Sequence, residues 1–467
     1  MQLDIAEAGA TGSTLRAATF ATQPTGPGRY LRLVDTTPTD GDGSPTLLVQ
    51  SASPAFHGGW AEVVAPATMT GWLMPEFRWT GAVSGDWADA QNWSDNIVPG
   101  AADSVHISNG FLNAPVFPGQ VTVRAFVNDA TTPTSLDGEL TVTERLITTA
   151  SMACATGEII LAGAANPVRF SGEIACTNVR VLSGTAVPDG RVVVASDLSV
   201  WDEALLALNR NTIEAPFFQT IGNGRLQMTE SIDSLIVQAA TFDGGPTDGL
   251  LTDGVLQVSG NFTQGVTGSP ASFAASGNHT TVFAGNGGDQ QSSFASPGEG
   301  ANTSHFANVE MSKGEAGTGV LLNSAAYALG TLRTGNAVAQ RLLANVTEPA
   351  SLLFQSHGAD VDGITFSNVK WSILDGPPIL RMDNITFANI DGAATQLNME
   401  RAIGDVQIGV ITFSETVQGG RYLRLWDLDG DGGGVSLFRV TLNIVTPSNR
   451  GALADILNGA QLFGWPP

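Results

Sequence analysis

Gly138-Glu-Leu-Thr-Val142 and Gly157-Glu-Ile-Ile-Leu161 share one form: glycine, any residue, a branched aliphatic, any residue, an apolar residue. The phrase returns as Gly172-Glu-Ile-Ala-Cys176, Gly190-Arg-Val-Val-Val194, Gly224-Arg-Leu-Gln-Met228 and Gly254-Val-Leu-Gln-Val258. Successive glycines are 19, 15, 18, 34 and 30 residues apart, the last two close to twice the others, which sets one coil at fifteen to nineteen residues. Alternating apolar positions suit a strand with one buried face, and glycine frees a corner. Such a period suits a solenoid, in which each coil's edge is paired by the next, about 4.8 Å along the axis. A string of β-sandwiches also has short strands and frequent turns, but its turn spacing of roughly 8–12 residues fits these phrases less well.

Farther on, Ile364-Thr-Phe-Ser-Asn-Val369 recurs as Ile385-Thr-Phe-Ala-Asn-Ile390, 21 residues later, and Phe306-Ala-Asn-Val309 precedes the first by about three coils of twenty. Stacking would place Phe366 over Phe387 in an apolar ladder and Asn368 over Asn389 at a corner. On both sides of this middle the chain repeats itself. Gln2-Leu3 matches Gln396-Leu397, Thr19-Phe20 matches Thr412-Phe413, Gly28-Arg-Tyr-Leu-Arg-Leu33 is identical to Gly420-Arg-Tyr-Leu-Arg-Leu425, and Gly71-Trp72 matches Gly464-Trp465. The offsets are 394, 393, 392 and 393, one long period that marks a slice of a tandem array. In each copy two strand-like runs, Tyr30–Asp35 with Thr46–Ser51 and Tyr422–Asp427 with Val435–Val445, flank an Asp-Gly-rich link that predicts a hairpin. The expected organisation is a β module over 1–78, a Trp-rich start motif over 79–107, a parallel β-solenoid over 108–394 and a second copy of the β module over 395–467.

The start motif has the pattern W-x-G-x3-G-x-W-x5-N-W-x4-V-P-G-x2-D-x-V-x-I from Trp79 to Ile107. It resembles the opening of parallel β-solenoid segments in large bacterial surface proteins, autotransporter-type and adhesin-like ones among them. The phrases LQVSGNFTQ and FAASGNHTTVFAG and the region of Gln290-Gln291 resemble solenoid turns of the same proteins. GRYLRLWDLDGDGG and the final Gly464-Trp465 resemble the ends of their repeats. The resemblance implies architecture and an extracellular or cell-surface location, and carries no catalytic residues over to this chain. The export signal and any anchor are then expected outside this sequence, since MQLDIAEAGATG has neither a basic nor an apolar segment.

Composition agrees with a chain of this kind. The 467 residues are 42% hydrophobic, enough for a sizeable core, and 55 are glycine, about one in eight against a usual one in fourteen. Only Trp201–Asn209 and Arg450–Leu457 present helical windows, and no run of eighteen apolar residues exists to span a bilayer. Net charge is −23, and Lys313 and Lys370 are the two lysines. That balance argues against nucleic acid, which needs a basic stripe, and against docking on anionic lipid.

Chemistry is sparse. The histidines His57, His106, His279, His305 and His357 stand singly, without zinc-binding spacing. There is no nucleophile elbow and no phosphate-binding loop. Asp427, Asp429 and Asp431, followed by Gly432, reproduce the start of a calcium loop, but its twelfth position is Phe438; an acidic hairpin turn is the preferred reading and calcium the alternative. Asp360, Asp362, Asp375, Asp383 and Asp391 offer paired carboxylates to a polysaccharide-degrading β-helix enzyme, although this much negative charge would repel an acidic polymer. Trp79, Trp87 and Trp93 read as a cap on the solenoid core, with a sugar-stacking platform as the alternative. Cys154 and Cys176 lie 22 residues apart, about one coil, which favours a disulfide between stacked coils, while the glycine register argues against it.

The expected fold is all-β: a right-handed parallel β-solenoid (β-helix) flanked by two copies of a small antiparallel β module. The expected function is non-enzymatic, that of a bacterial cell-surface stalk, spacer or filament subunit whose partners are copies of itself or adjacent repeats. A glycan-binding module, or a polysaccharide-degrading enzyme, is the alternative.

Overall fold

A computed structural model describes residues 77–330 with their side chains, apart from Pro118 and residues 132–133, 149–153, 155, 164–165 and 316–317; outside that span it places backbone strands alone. The chain forms two compact units, Met1–Ile160 and Leu161–Pro467. Among the described residues there is no α-helix, and the fold is a parallel β-solenoid.

In the first unit, Glu76–Arg78, Ser104–Ile107, Gln120–Asn128 and Glu139–Ala162 pair in succession, all parallel. Their register sets Val105 on Phe126 and Phe126 on Leu146, and all three are fully buried. Three consecutive coils therefore place an apolar side chain at one interior position, each stabilising by about 1.5–3 kcal/mol through removal from water.

The second unit shows how a coil is built. One coil carries Leu205–Ala207 and then Thr212–Ile221; the next carries Arg225–Gln227 and then Ser234–Asp243. Pairing runs from Ala215 to Val237 and from Phe217 to Ala239, skipping Pro216 and Gln238, so each long strand turns a corner there and serves two faces. Proline at a corner withdraws no donor from the ladder. Interior columns follow from the register: Val192, Ile213, Leu235 and Leu256 stack in order, and all are fully buried. On the following face Leu198, Phe218, Ala240 and Phe262 do the same. Around Phe262 the interior is aromatic, with ring centroids at 5.7 Å to Phe242, 4.8 Å to Phe273, 5.2 Å to Phe294 and 5.1 Å to Phe306.

The coil is longer than the glycine phrases suggest. Ser104↔Ala125, Gln120↔Glu139, Leu205↔Arg225 and Ser234↔Val255 give separations of 21, 19, 20 and 21 residues. The intervals misled because the phrases fall on different faces. Gly172 meets Val192 in register, not Gly190, and Gly224 heads Arg225–Gln227, whose partner is Leu205–Ala207. Later coils grow to 30 residues, as in Phe262↔Ser292 and Gln290↔Val320. The expected stacking of Phe366 on Phe387 is present in the backbone register. Phe306, by contrast, bridges Ala328 on another ladder; Asn368 and Asn389 lie outside the described residues.

Both helical windows are strands. Within Trp201–Asn209, Leu205–Ala207 pairs on both sides, and Ala204, Leu206 and Leu208 are buried at every second position. Pairing with neighbouring coils overrides helix propensity. Within Arg450–Leu457, Ala454–Leu457 pairs with Leu423–Trp426.

The flanking strands appear where the repeated sequence places them, but their pairings are parallel where the Asp-Gly links predict antiparallel hairpins. In the first unit Leu3 pairs with Leu31 and Leu31 with Ala61. In the second, Leu397 pairs with Leu423 and Leu423 with Ala454. The two modules thus share one strand register, position for position. The Asp-Gly links serve as coil corners, because each strand's partner lies in the adjacent coil and not across the turn.

Candidate functional site

The Trp motif closes on itself. Trp79 and Trp93 bridge antiparallel, and Trp79, Trp87 and Trp93 are 3%, 2% and 2% exposed. Trp93 stands edge-on to Trp87 at 4.5 Å and to Trp79 at 5.0 Å, and Trp87 stacks on Phe117 at 4.7 Å. Both polar edges are satisfied: Trp79 Nε1 donates to the Asn113 carbonyl at 2.8 Å and Trp93 Nε1 to the Trp87 carbonyl at 2.9 Å. Asn92, fully buried, ties the intervening turn by accepting from the amides of Val83 and Ser84 and donating to Ser84 Oγ and the Asp86 carbonyl. Gly81 lies at φ +58°, and a Cβ there would sit 2.1 Å from the Asn113 oxygen, so the motif's first glycine is a steric requirement. Asp103 accepts from the Gly100 amide at 2.8 Å; burial pushes its carboxyl up, and that hydrogen bond and Arg124 counter the rise. The indole faces are spent on one another, so no open sugar platform exists here.

The remaining sequence candidates separate. Asp427, Asp429 and Asp431 lie outside the described residues, as do Asp375 and Asp391. Asp360, Asp362 and Asp383 fall on strands whose backbone register sets Asp362 beside Asp383, with side chains undescribed. Neither Cys154 nor Cys176 is free, and both are buried. His57 and His357 are outside the described span; His106 Nε2 lies 3.0 Å from Asp129, and His305 Nδ1 lies 2.9 Å from the Gly298 carbonyl. Among the described residues no group of three or more His, Cys, Asp or Glu side chains is arranged to hold a metal.

His279 is fully buried, edge-on to Phe273 at 5.8 Å, and neither ring nitrogen has a hydrogen-bond partner among the described residues. Burial pulls its pKa from 6.5 to about 4, against the field of Asp253. The folded value is therefore below the unfolded one. The neutral ring costs nothing above pH 6.5, and stability falls as pH drops from there toward 4, where the unfolded chain takes the proton first. The loss attributable to this ring is about 3 kcal/mol. Urea unfolding at pH 7 and pH 4.5 checks it: His279→Leu is expected to flatten the acid loss, and an unchanged slope would exclude His279 as its source.

One surface feature was not marked by any motif. At the corner between the faces that carry Val237 and Ala239, the connection is Gln238 alone; in the next coils it spans 259–261, 284–289 and 312–318. The corner thus widens from one residue to three, six and seven. Along it runs a trough of about 520 Å³ lined by Gln238, Gln257, Ser259, Gly260, Ala284, Gly285, Asn286 and Ser312. Beneath lie two buried polar side chains. Gln290 donates to the carbonyls of Val258 and Gly260 at 2.8 and 2.7 Å and accepts from Lys313 Nζ at 3.0 Å. Burial pulls the Lys313 amine below the ordinary lysine range, against Asp289 and Glu315. A Cβ on Gly285 would sit 2.3 Å from the Ser259 oxygen and 3.1 Å from Lys313 Nζ, so the trough floor must remain small. A growing interval between apolar phrases was the sequence signal for this corner. Compared with protein-family models, curated proteins and solved structures, the chain matches none.

Proposed function

We propose that this chain is a non-enzymatic structural repeat of a large bacterial cell-surface protein, serving as stalk, spacer or filament subunit by associating with copies of itself or with adjacent repeats. The observation that carries the reading is the shared strand register of the two end modules: Leu3, Leu31 and Ala61 are linked as Leu397, Leu423 and Ala454 are. A module that recurs in sequence and in pairing is interchangeable, and a strand ladder has ends that seek a partner. A solenoid also suits the load, because each coil is hydrogen-bonded to its neighbours along its length. An extracellular site accords with the cysteines, which we propose pair with each other in an oxidising compartment.

Sedimentation velocity over a concentration series tests the reading. The full chain is expected to grow in mass with concentration, and a variant lacking residues 395–467 to remain at its starting mass. A full chain that stays monomeric at every concentration would contradict it.

A further inference from the structure

We propose that the widening corner of the second unit is a binding site for an uncharged, hydroxyl-rich chain, a neutral oligosaccharide, and that Gln238, Gln257 and Asn286 are its recognition side chains. The inference is independent of self-association, since none of these residues belongs to the repeated end modules. Three observations carry it. First, the trough is built by successive coils, with Gln238 and Asn286 exposed along it and Gln257 half-buried between them. An extended ligand laid along the solenoid axis therefore meets a new set of side chains at each coil. Its volume of about 520 Å³ is within the usual range of small-ligand sites.

Second, the lining is polar and uncharged. Carboxamides present a donor and an acceptor side by side, which matches the paired donors and acceptors of neighbouring hydroxyls on a sugar ring. No carboxylate or ammonium lines the trough. The nearest amine, Lys313, is fully buried beneath the floor, where Gln290 accepts from it. A polyanion finds no counter-charge in the trough and meets a chain of net charge −23. Third, the corner lengthens just where the trough lies. A solenoid turning its corner with Gln238 alone needs no six- or seven-residue connection, and the longer corners raise Asn286 as a wall beside a floor of Ser259, Gly260 and Gly285.

The test is titration calorimetry of the full chain with hexasaccharides of β-1,4-glucose, α-1,4-glucose and β-1,4-N-acetylglucosamine, with an oligouronate, and with an uncharged Gly-Ser-Asn peptide. The expected result is saturable binding of at least one neutral sugar and none of the uronate or peptide. Combined Gln238→Ala and Gln257→Ala is expected to weaken it roughly tenfold or more through lost hydrogen bonds. Ser259→Trp, which fills the trough from an exposed position, should abolish it, while Gln219→Ala on the neighbouring face leaves it unchanged. Thermal unfolding of each variant separates a lost site from a lost fold. Failure of all three neutral sugars, binding indifferent to the trough variants, or preference for the uronate or the peptide would each overturn the assignment.

Discussion

Phe262→Ala is expected to lower the stability of the second unit by about 3–5 kcal/mol, the range for deleting a large buried aromatic from a core that cannot close. The ring is 1% exposed and lies within 6 Å of Phe242, Phe273, Phe294 and Phe306. Collapse is opposed by the fold itself. Phe262 is held between Ala240 and Ser292 by strand pairing, and the coils above and below cannot approach without breaking ladder hydrogen bonds. The cavity would therefore persist, and its lining would lose dispersion contacts outright. Phe217, 49% exposed on the outside of a neighbouring coil, is the control, with Phe217→Ala expected to change stability by less than about 1 kcal/mol. Calorimetric unfolding of the three proteins reads the difference, and equal transitions for the two variants would refute the placement of the aromatic interior.

Trp93→Ala is the counterpart in the first unit, with an expected loss of about 3–5 kcal/mol. Removing this indole deletes two edge-on contacts, to Trp87 and Trp79, each worth about 0.5–1.5 kcal/mol beyond area burial. It also leaves the Trp87 carbonyl without its donor. The remaining indoles would be opened to water, so a red shift of tryptophan emission should accompany the lowered transition. Trp93→Phe keeps a flat ring but lacks the N–H, and should fall between parent and Trp93→Ala. Emission and stability unchanged by Trp93→Ala would mean that the cluster is not a packed unit, and would reopen the sugar-platform reading of Trp79, Trp87 and Trp93.

The solenoid was legible because alternation of apolar residues in short glycine-headed phrases is set by the pleat and survives any error in counting coils. The count itself was misread for a physical reason. A coil with several faces presents similar phrases on each, so Gly172 to Gly190 and Gly190 to Gly224 measure steps between unlike positions, and only pairing reveals that Val192, Ile213, Leu235 and Leu256 form one column. Trp201–Asn209 was misread because Ala and Leu favour helix locally, while its ladder partners lie twenty residues away on either side. The Asp-Gly links were read as hairpins because the same residues suit a coil corner. At the candidate sites, aromatic clustering announced the Trp motif, and its burial followed from packing that the sequence does not display. The trough was invisible, since Gln238, Gln257 and Asn286 are ordinary polar residues brought together by coils of unequal length. His279 sits in the polar phrase Ser276-Gly-Asn-His-Thr280, which carries no sign that its ring turns inward.

Electron microscopy of the purified full chain, with and without calcium, addresses self-association most directly. The account predicts rods joined end to end, with an axial repeat of one chain. Dependence of that joining on calcium would assign Asp427, Asp429 and Asp431 as its ligands, and joining in both conditions would leave those carboxylates as a turn. Separate monomers at every concentration, with and without calcium, would contradict the account.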